Sequence, residues 1–213
     1  LYDYDALRAL GEATMFVVHI QAPTLVLGGS QSSDVLDCSR TSDMPIRRRR
    51  GGGGLVLLQP DDLWIDWWIP SGDERWSADI RVSSLRAGGW WRQALGESVR
   101  GVVSVHEGGL EGDSLHRVAC FAGRGPGEVF VDGRKAVGLT QWRVREGIFV
   151  STVVHAGRSD GIVDLLTDAP AGLREALDHH VIASLGIDDP EATVDALAAA
   201  SGPWMVRRLF LNV

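Results

Sequence analysis

Four consecutive arginines, Arg47 to Arg50, abut four consecutive glycines, Gly51 to Gly54, between the extended stretches Ile46 to Arg50 and Leu55 to Leu58. This run constrains the chain more than any other feature. Arginine offers a rigid fork of donors to carboxylate or phosphate. Glycine lets backbone N–H groups approach the same anion. The run reads either as an anion-facing turn or as a solvated basic loop. It is not a Walker loop, because no Gly-Lys-Ser/Thr follows. The net charge is −7, so the arginines belong to an acidic chain and a general nucleic-acid coat is disfavoured.

The surrounding pattern is that of an α+β domain. Residues 14–20, 24–27, 63–69, 101–106 and 117–122 read as strands. Glu128 to Val131 and Lys135 to Trp142 read as a hairpin about Asp132-Gly133, and residues 147–155 pair next. Ser33-Asp34 suits the cap of a short helix near Val35. Residues 75–98 have helical spacing, and Gly88-Gly89 points to a break into two helices. Helices are expected at 160–168, 172–185 and 190–200, with Asp189-Pro190 at a start and Gly202 at an end. Residues 204–213 close the chain as a strand. The expected architecture is a mixed, largely antiparallel sheet flanked by helices, one domain over residues 1–213. No run of about 18 apolar residues exists. Two cysteines do not make a disulfide scaffold, so reduced thiols and a cytoplasmic setting are expected. The first residue is Leu1 rather than Met, and native residues ahead of it are expected.

A second constellation joins Cys120-Phe121 to Asp132-Gly133-Arg134-Lys135-Ala136-Val137-Gly138. A lone cysteine is usually a small buried hydrophobe, and a lysine after a glycine turn is usually at the surface. If the hairpin brings Lys135 to Cys120, the ammonium favours thiolate and makes the sulfur nucleophilic. His106, His116 and His155 lie on separate segments without metal-ligand spacing, and no metal site is expected. Trp64, Trp67 and Trp68 read as core.

Taken in order, Pro23-Thr24-Leu25-Val26-Leu27-Gly28, Arg49-Arg50-Gly51-Gly52-Gly53-Gly54 and Asp132 to Gly138 resemble the biotin/lipoate protein ligase catalytic-domain family, which contains lipoate-protein ligases and octanoyl transferases. The resemblance covers roughly residues 14–155. It implies a class II synthetase-like, biotin/lipoate ligase-like fold with an acyl tunnel; the separate accessory domain common in complete lipoate ligases is not expected, since 213 residues leave no length for it. The implied reaction attaches an octanoyl or lipoyl group to a lysine of a lipoyl-type carrier domain, with an acyl carrier protein or lipoyl-domain protein as partner. Arg49, Arg50, Gly52, Gly53 and Gly54 would line the acyl pocket, with Gly133 and Gly138 of the lysine turn also binding substrate. Lys135 would meet the acyl carbonyl, where a fixed cation stabilises an oxyanion; its change to Met is then expected to cost rate rather than stability.

Two branches remain open. Ligases of the family activate a free acid with ATP and typically carry Gly-Arg-Asn-Asp before the lysine turn; this chain has Gly123-Arg124-Gly125-Pro126-Gly127-Glu128. One group of octanoyl transferases has a Cys-Phe pair about fifteen positions before the lysine, as Cys120-Phe121 stands to Lys135. Acyl transfer through a Cys120 thioester, needing no cofactor, is therefore the leading expectation. An ATP- and Mg-dependent ligase comes second, and a non-catalytic acyl- or carrier-binding protein third. The chain departs from the family at Leu58-Gln59, Gly138-Leu139-Thr140 and Val150-Ser151.

Overall fold

The computed structural model describes residues 2–96, 98–112, 114–182, 185, 187 and 189–211. In chain order the elements are α1 (Tyr4–Arg8), β1 (Thr14–Ile20), β2 (Thr24–Leu27), α2 (Cys38–Thr41), β3 (Ile46–Arg48), β4 (Val56–Leu58), β5 (Leu63–Pro70), α3 (Ile80–Leu95), β6 (Val103–Val105), α4 (Leu115–Val118), β7 (Val129–Val131), β8 (Arg134–Val144), β9 (Gly147–Val154), α5 (Leu173–His180), α6 (Pro190–Ser201) and β10 (Met205–Leu211). Among the described residues, a 7-stranded sheet has the order β10-β1-β5-β9-β8-β7-β6, and a 3-stranded sheet the order β3-β2-β4. The large sheet is antiparallel except where β10 runs parallel to β1.

The central strands of the large sheet, β1, β5 and β9, are buried on both faces. Met15, Val17, Ile65, Trp67 and Ile69 pack with Trp91, Leu95 and Leu197 of α3 and α6. Phe16, Val18, Trp64, Trp68 and Phe149 pack on the opposite face with Leu25 and Leu27 of the small sheet. Successive strand residues point to opposite faces, so a strand buried on both sides is apolar nearly throughout. Within β5 the exception is Asp66, which is fully buried on the small-sheet side.

Local chemistry explains most boundaries. Asp132 and Gly133 both have positive φ, as a two-residue hairpin turn requires. Asp79 caps α3 by accepting from the N–H groups of Arg81 and Val82, and Asp189 caps α6 ahead of Pro190. Several expectations are corrected. Residues 80–95 form one helix despite Gly88-Gly89: a Cβ on Gly88 would stand 2.2 Å from the Gly127 carbonyl oxygen, so the glycine serves close packing of α3 on the 125–127 turn. Residues 117–122 are not a strand. They hold the end of α4 and a 3-10 turn at Cys120–Ala122, with a single ladder pair, Leu55 to Ala119. That stretch contains one β-branched residue, Val118, and wraps under the glycine turn instead of joining a sheet. Ser32 rather than Ser33 caps the 3-10 turn at Ser33–Val35, and Asp160–Leu165 is 3-10 rather than α-helical. The helix expected over 172–185 ends at His180, and Val181 pairs with Lys135 instead; residues 183, 184, 212 and 213 lie outside the described residues. No helix among the described residues is long and apolar enough to cross a membrane.

Candidate active site

The glycine turn is shaped by Arg49. This buried guanidinium donates to the carbonyl oxygens of Gly52 (2.8 Å), Gly54 (2.7 Å) and Val26 (3.3 Å). It therefore ties the turn to β2 from inside. Gly53 has φ +94, and a Cβ there would stand 2.9 Å from the Arg49 guanidinium and 3.4 Å from Cys120 Sγ. The turn thus brings backbone directly against the cysteine. A Cβ on Gly54 would stand 2.7 Å from Val118 backbone. Reciprocal hydrogen bonds, Leu55 N–H to Val118 O (2.8 Å) and Cys120 N–H to Leu55 O (3.0 Å), clip the cysteine segment to the turn.

Cys120 is half-buried and unpaired with Cys38. It lies in the wall between two cavities. One is an apolar cavity of ≈ 50 Å³ bordered by Arg49, Arg50, Val56, Trp64, Phe121 and Gly138. The other is an open cleft of ≈ 810 Å³ bordered by Gly52, Gly53, Arg124, Glu128 and Lys135. Cys120, Leu139, Thr140 and Gln141 border both.

Lys135 does not lie at the surface, where a lysine after a glycine turn usually sits. It is 1% exposed. Its ammonium donates to the carbonyl oxygens of Cys120 and Gly123, each at 3.0 Å, and pairs with the Glu128 carboxylate at 2.6 Å. An ammonium has three protons to give, so all are committed. Glu128 is itself buried and also accepts from the Gly125 N–H at 2.7 Å. Burial pushes its carboxyl up, and the Lys135 charge pulls against that. Lys135 thus holds the cysteine turn from beneath, and its replacement by Met is expected to cost stability as well as rate.

Phe121 packs the turn onto β8. A Cβ on Gly138 would lie 2.7 Å from its ring, so that glycine makes room for the aromatic. The ring lies 5.0 Å from Lys135 Nζ and 4.3 Å from the His155 ring. His155 Nδ1 is 2.9 Å from Asp62, and both side chains are buried. Of the expected site residues, the structure gathers Arg49, Arg50, Gly52, Gly53, Cys120, Lys135 and Gly138 around the two cavities. Gly54 packs behind the turn. Gly133 borders neither cavity; it occupies the hairpin turn, where φ is +79.

The sequence reading missed Glu128 as the lysine's partner and the polar cluster behind Trp64. There Asp66 accepts from the Tyr2 hydroxyl (2.5 Å) and from Trp64 Nε1 (2.6 Å). Burial raises the Asp66 pKa to about 7, against the pull of hydrogen bonds from Ser151, Tyr2 and Trp64. The only signal available in sequence was a charged residue inside an otherwise apolar strand. Among the described residues, no group of three or more His, Cys, Asp or Glu is placed to hold a metal ion.

At the sequence level, no family model and no curated protein matches the chain. Solved structures do. A lipoate-protein ligase A bound with ATP superposes with TM-score 0.70 at 16% identity, covering 99% of this chain and 82% of that one. A lipoate protein ligase from Thermoplasma acidophilum, solved with bound lipoic acid, gives TM-score 0.71 at 12% identity, covering 99% and 82%. The bipartite lipoate protein ligase of Thermoplasma acidophilum, described with its E2 lipoyl domain, gives 0.72 at 13%, covering 99% and 80%. The chain has the fold of the lipoate-protein ligases.

Proposed function

We propose that this protein is an acyltransferase that moves an octanoyl- or lipoyl-type group from a thioester donor, through a thioester on Cys120, to a lysine of a lipoyl-type carrier domain. One observation carries this reading: Cys120 borders both an apolar cavity suited to an acyl chain and an open cleft suited to a donor or acceptor. In the first step the Cys120 thiolate attacks the donor carbonyl, and the donor thiol leaves with the proton Cys120 gave up. In the second, a neutral lysine amine attacks the Cys120 thioester. An amide forms, the carbon–sulfur bond breaks, and the sulfur regains a proton from the amine. Lys135 acts here as a positioning residue, holding the Cys120 and Gly123 carbonyls beneath the turn. The apolar cavity favours a hydrocarbon tail at about 0.8 kcal/mol per buried methylene.

The fold also supports an ATP-dependent ligase, because one structural neighbour is a lipoate-protein ligase bound with ATP. In that reading the cleft would take the nucleotide. The residues fit it less well: Lys135, the cation that would meet phosphate, is committed to Glu128 and two carbonyls.

The test is intact-mass analysis after incubation with an octanoyl carrier thioester without ATP. The expected result is one octanoyl adduct, lost in Cys120→Ser, which moves to a lipoyl domain when that is added. ATP–pyrophosphate exchange driven by lipoate, with no adduct on Cys120, would overturn it in favour of the ligase. Neither signal, with tight fatty-acid binding, would assign an acyl-binding protein.

A further inference from the structure

The apolar cavity has a long wall and little accessible space. Its lining starts at Cys120 and the facing pair Gly138 and Val153, beside Phe121. It continues along β8 and β9 to the pair Trp142 and Phe149, four residues further along each strand. At a strand rise of about 3.4 Å per residue, that wall runs roughly 14 Å. An extended eight-carbon chain could follow it. Yet the cavity holds only ≈ 50 Å³.

The missing space is occupied by the segment at Tyr2 and Tyr4. The Tyr2 ring packs edge-on against Phe149 (4.9 Å between centroids) and Phe16 (5.5 Å), and the Tyr4 ring against Trp142 (4.9 Å). The Tyr2 hydroxyl then donates to buried Asp66 at 2.5 Å, in the cluster that Trp64 completes. A tyrosine in an apolar pocket keeps its hydroxyl partnered, and Asp66 supplies the partner from within an otherwise apolar strand. Ring and hydrogen bond together close the far end of the cavity.

We propose that Tyr2 is the residue that sets acyl-chain length, with its hydroxyl latched to Asp66. Short acyl tails fit with the latch closed; an octanoyl-sized tail enters only when the Tyr2 ring withdraws. This rests on the reading of the cavity as the acyl site.

The experiment is a comparison of butanoate and octanoate binding by calorimetry, with Tyr2→Ala and Tyr2→Phe beside the parent chain. Acylation of Cys120 by butanoyl and octanoyl thioesters is followed by intact mass. Tyr2→Ala should bind octanoate at least tenfold more tightly than the parent, with butanoate changed less than about threefold. Tyr2→Phe keeps the ring and loses the latch, and should shift octanoate in the same direction by less. Equal octanoate affinity in all three folded chains would overturn the gate. Should Tyr2→Ala unfold, Tyr2→Phe decides alone: no gain for octanoate overturns the proposal. Chain-length dependence that follows Tyr2 in binding, without any Cys120 adduct, would leave the gate standing and sink the thioester mechanism instead. No binding of either acid to any of the chains would overturn the acyl-site reading and the gate together.

Discussion

Removing the lysine ammonium tests the arrangement around Cys120 most directly. In Lys135→Met the Glu128 carboxylate stays buried and loses its counter-charge at 2.6 Å, while the Cys120 and Gly123 carbonyls lose their donor. Breaking one partner out of a buried ion pair costs about 3–5 kcal/mol. For a chain of this length, about 2–4 °C of melting temperature is lost per kcal/mol. A fall of roughly 6–20 °C is therefore expected at neutral pH. The sign with pH follows from Glu128. Burial already raises its pKa, and without Lys135 the rise is larger. The native state then binds a proton that the unfolded state releases, so the variant loses stability as pH rises from the ordinary glutamate range through the raised value. Its deficit against the parent should shrink on acidification. Adding Glu128→Gln removes the buried charge while keeping an acceptor for the Gly125 N–H, and the double variant should regain at least half of the loss. The assay is thermal and urea unfolding of the four chains of the cycle between pH 5 and 8. A Lys135→Met chain that melts within 2 °C of the parent at pH 8, or equal losses in single and double variants, would refute the buried pair.

Two further outcomes follow from other residues. Gly53→Ala places a Cβ at φ +94 and 2.9 Å from the Arg49 guanidinium; it should cost about 1–3 kcal/mol in urea unfolding and slow octanoylation of Cys120, whose sulfur stands 3.4 Å from that new carbon. Asp66, with its pKa raised to about 7, should make the parent lose about 4 kcal/mol of stability as pH rises from 4 to 8, since the native state holds the proton longer than the unfolded one; Asp66→Asn should flatten that slope, as read from urea midpoints across the range.

Strand positions were legible because their causes are local. The β-branched run at 14–20 and the Asp132-Gly133 turn each carry their own signal, and both fall where the pattern puts them. So did the gathering of the arginine-glycine run and the Cys120 segment at one place, through the resemblance their order carries. What the sequence could not decide depends on neighbours distant in the chain. Arg117 to Ala122 looked extended, but its conformation is set by Leu55 and Gly54, more than sixty residues earlier. Gly88-Gly89 looked like a break until α3 met the turn at Gly127. Lys135 is the plainest case. A lysine after a glycine turn is usually at the surface, only the resemblance set this one at an acyl carbonyl, and local chemistry contains no reason to bury it. Only the folded hairpin sets Glu128 on one side and the Cys120 and Gly123 carbonyls on the other, and three committed hydrogen bonds offset the desolvation of the charge. Asp66 follows the same logic: a carboxyl inside an apolar strand is tolerated because Tyr2 and Ser151, both distant in the chain, join its strand neighbour Trp64 around it.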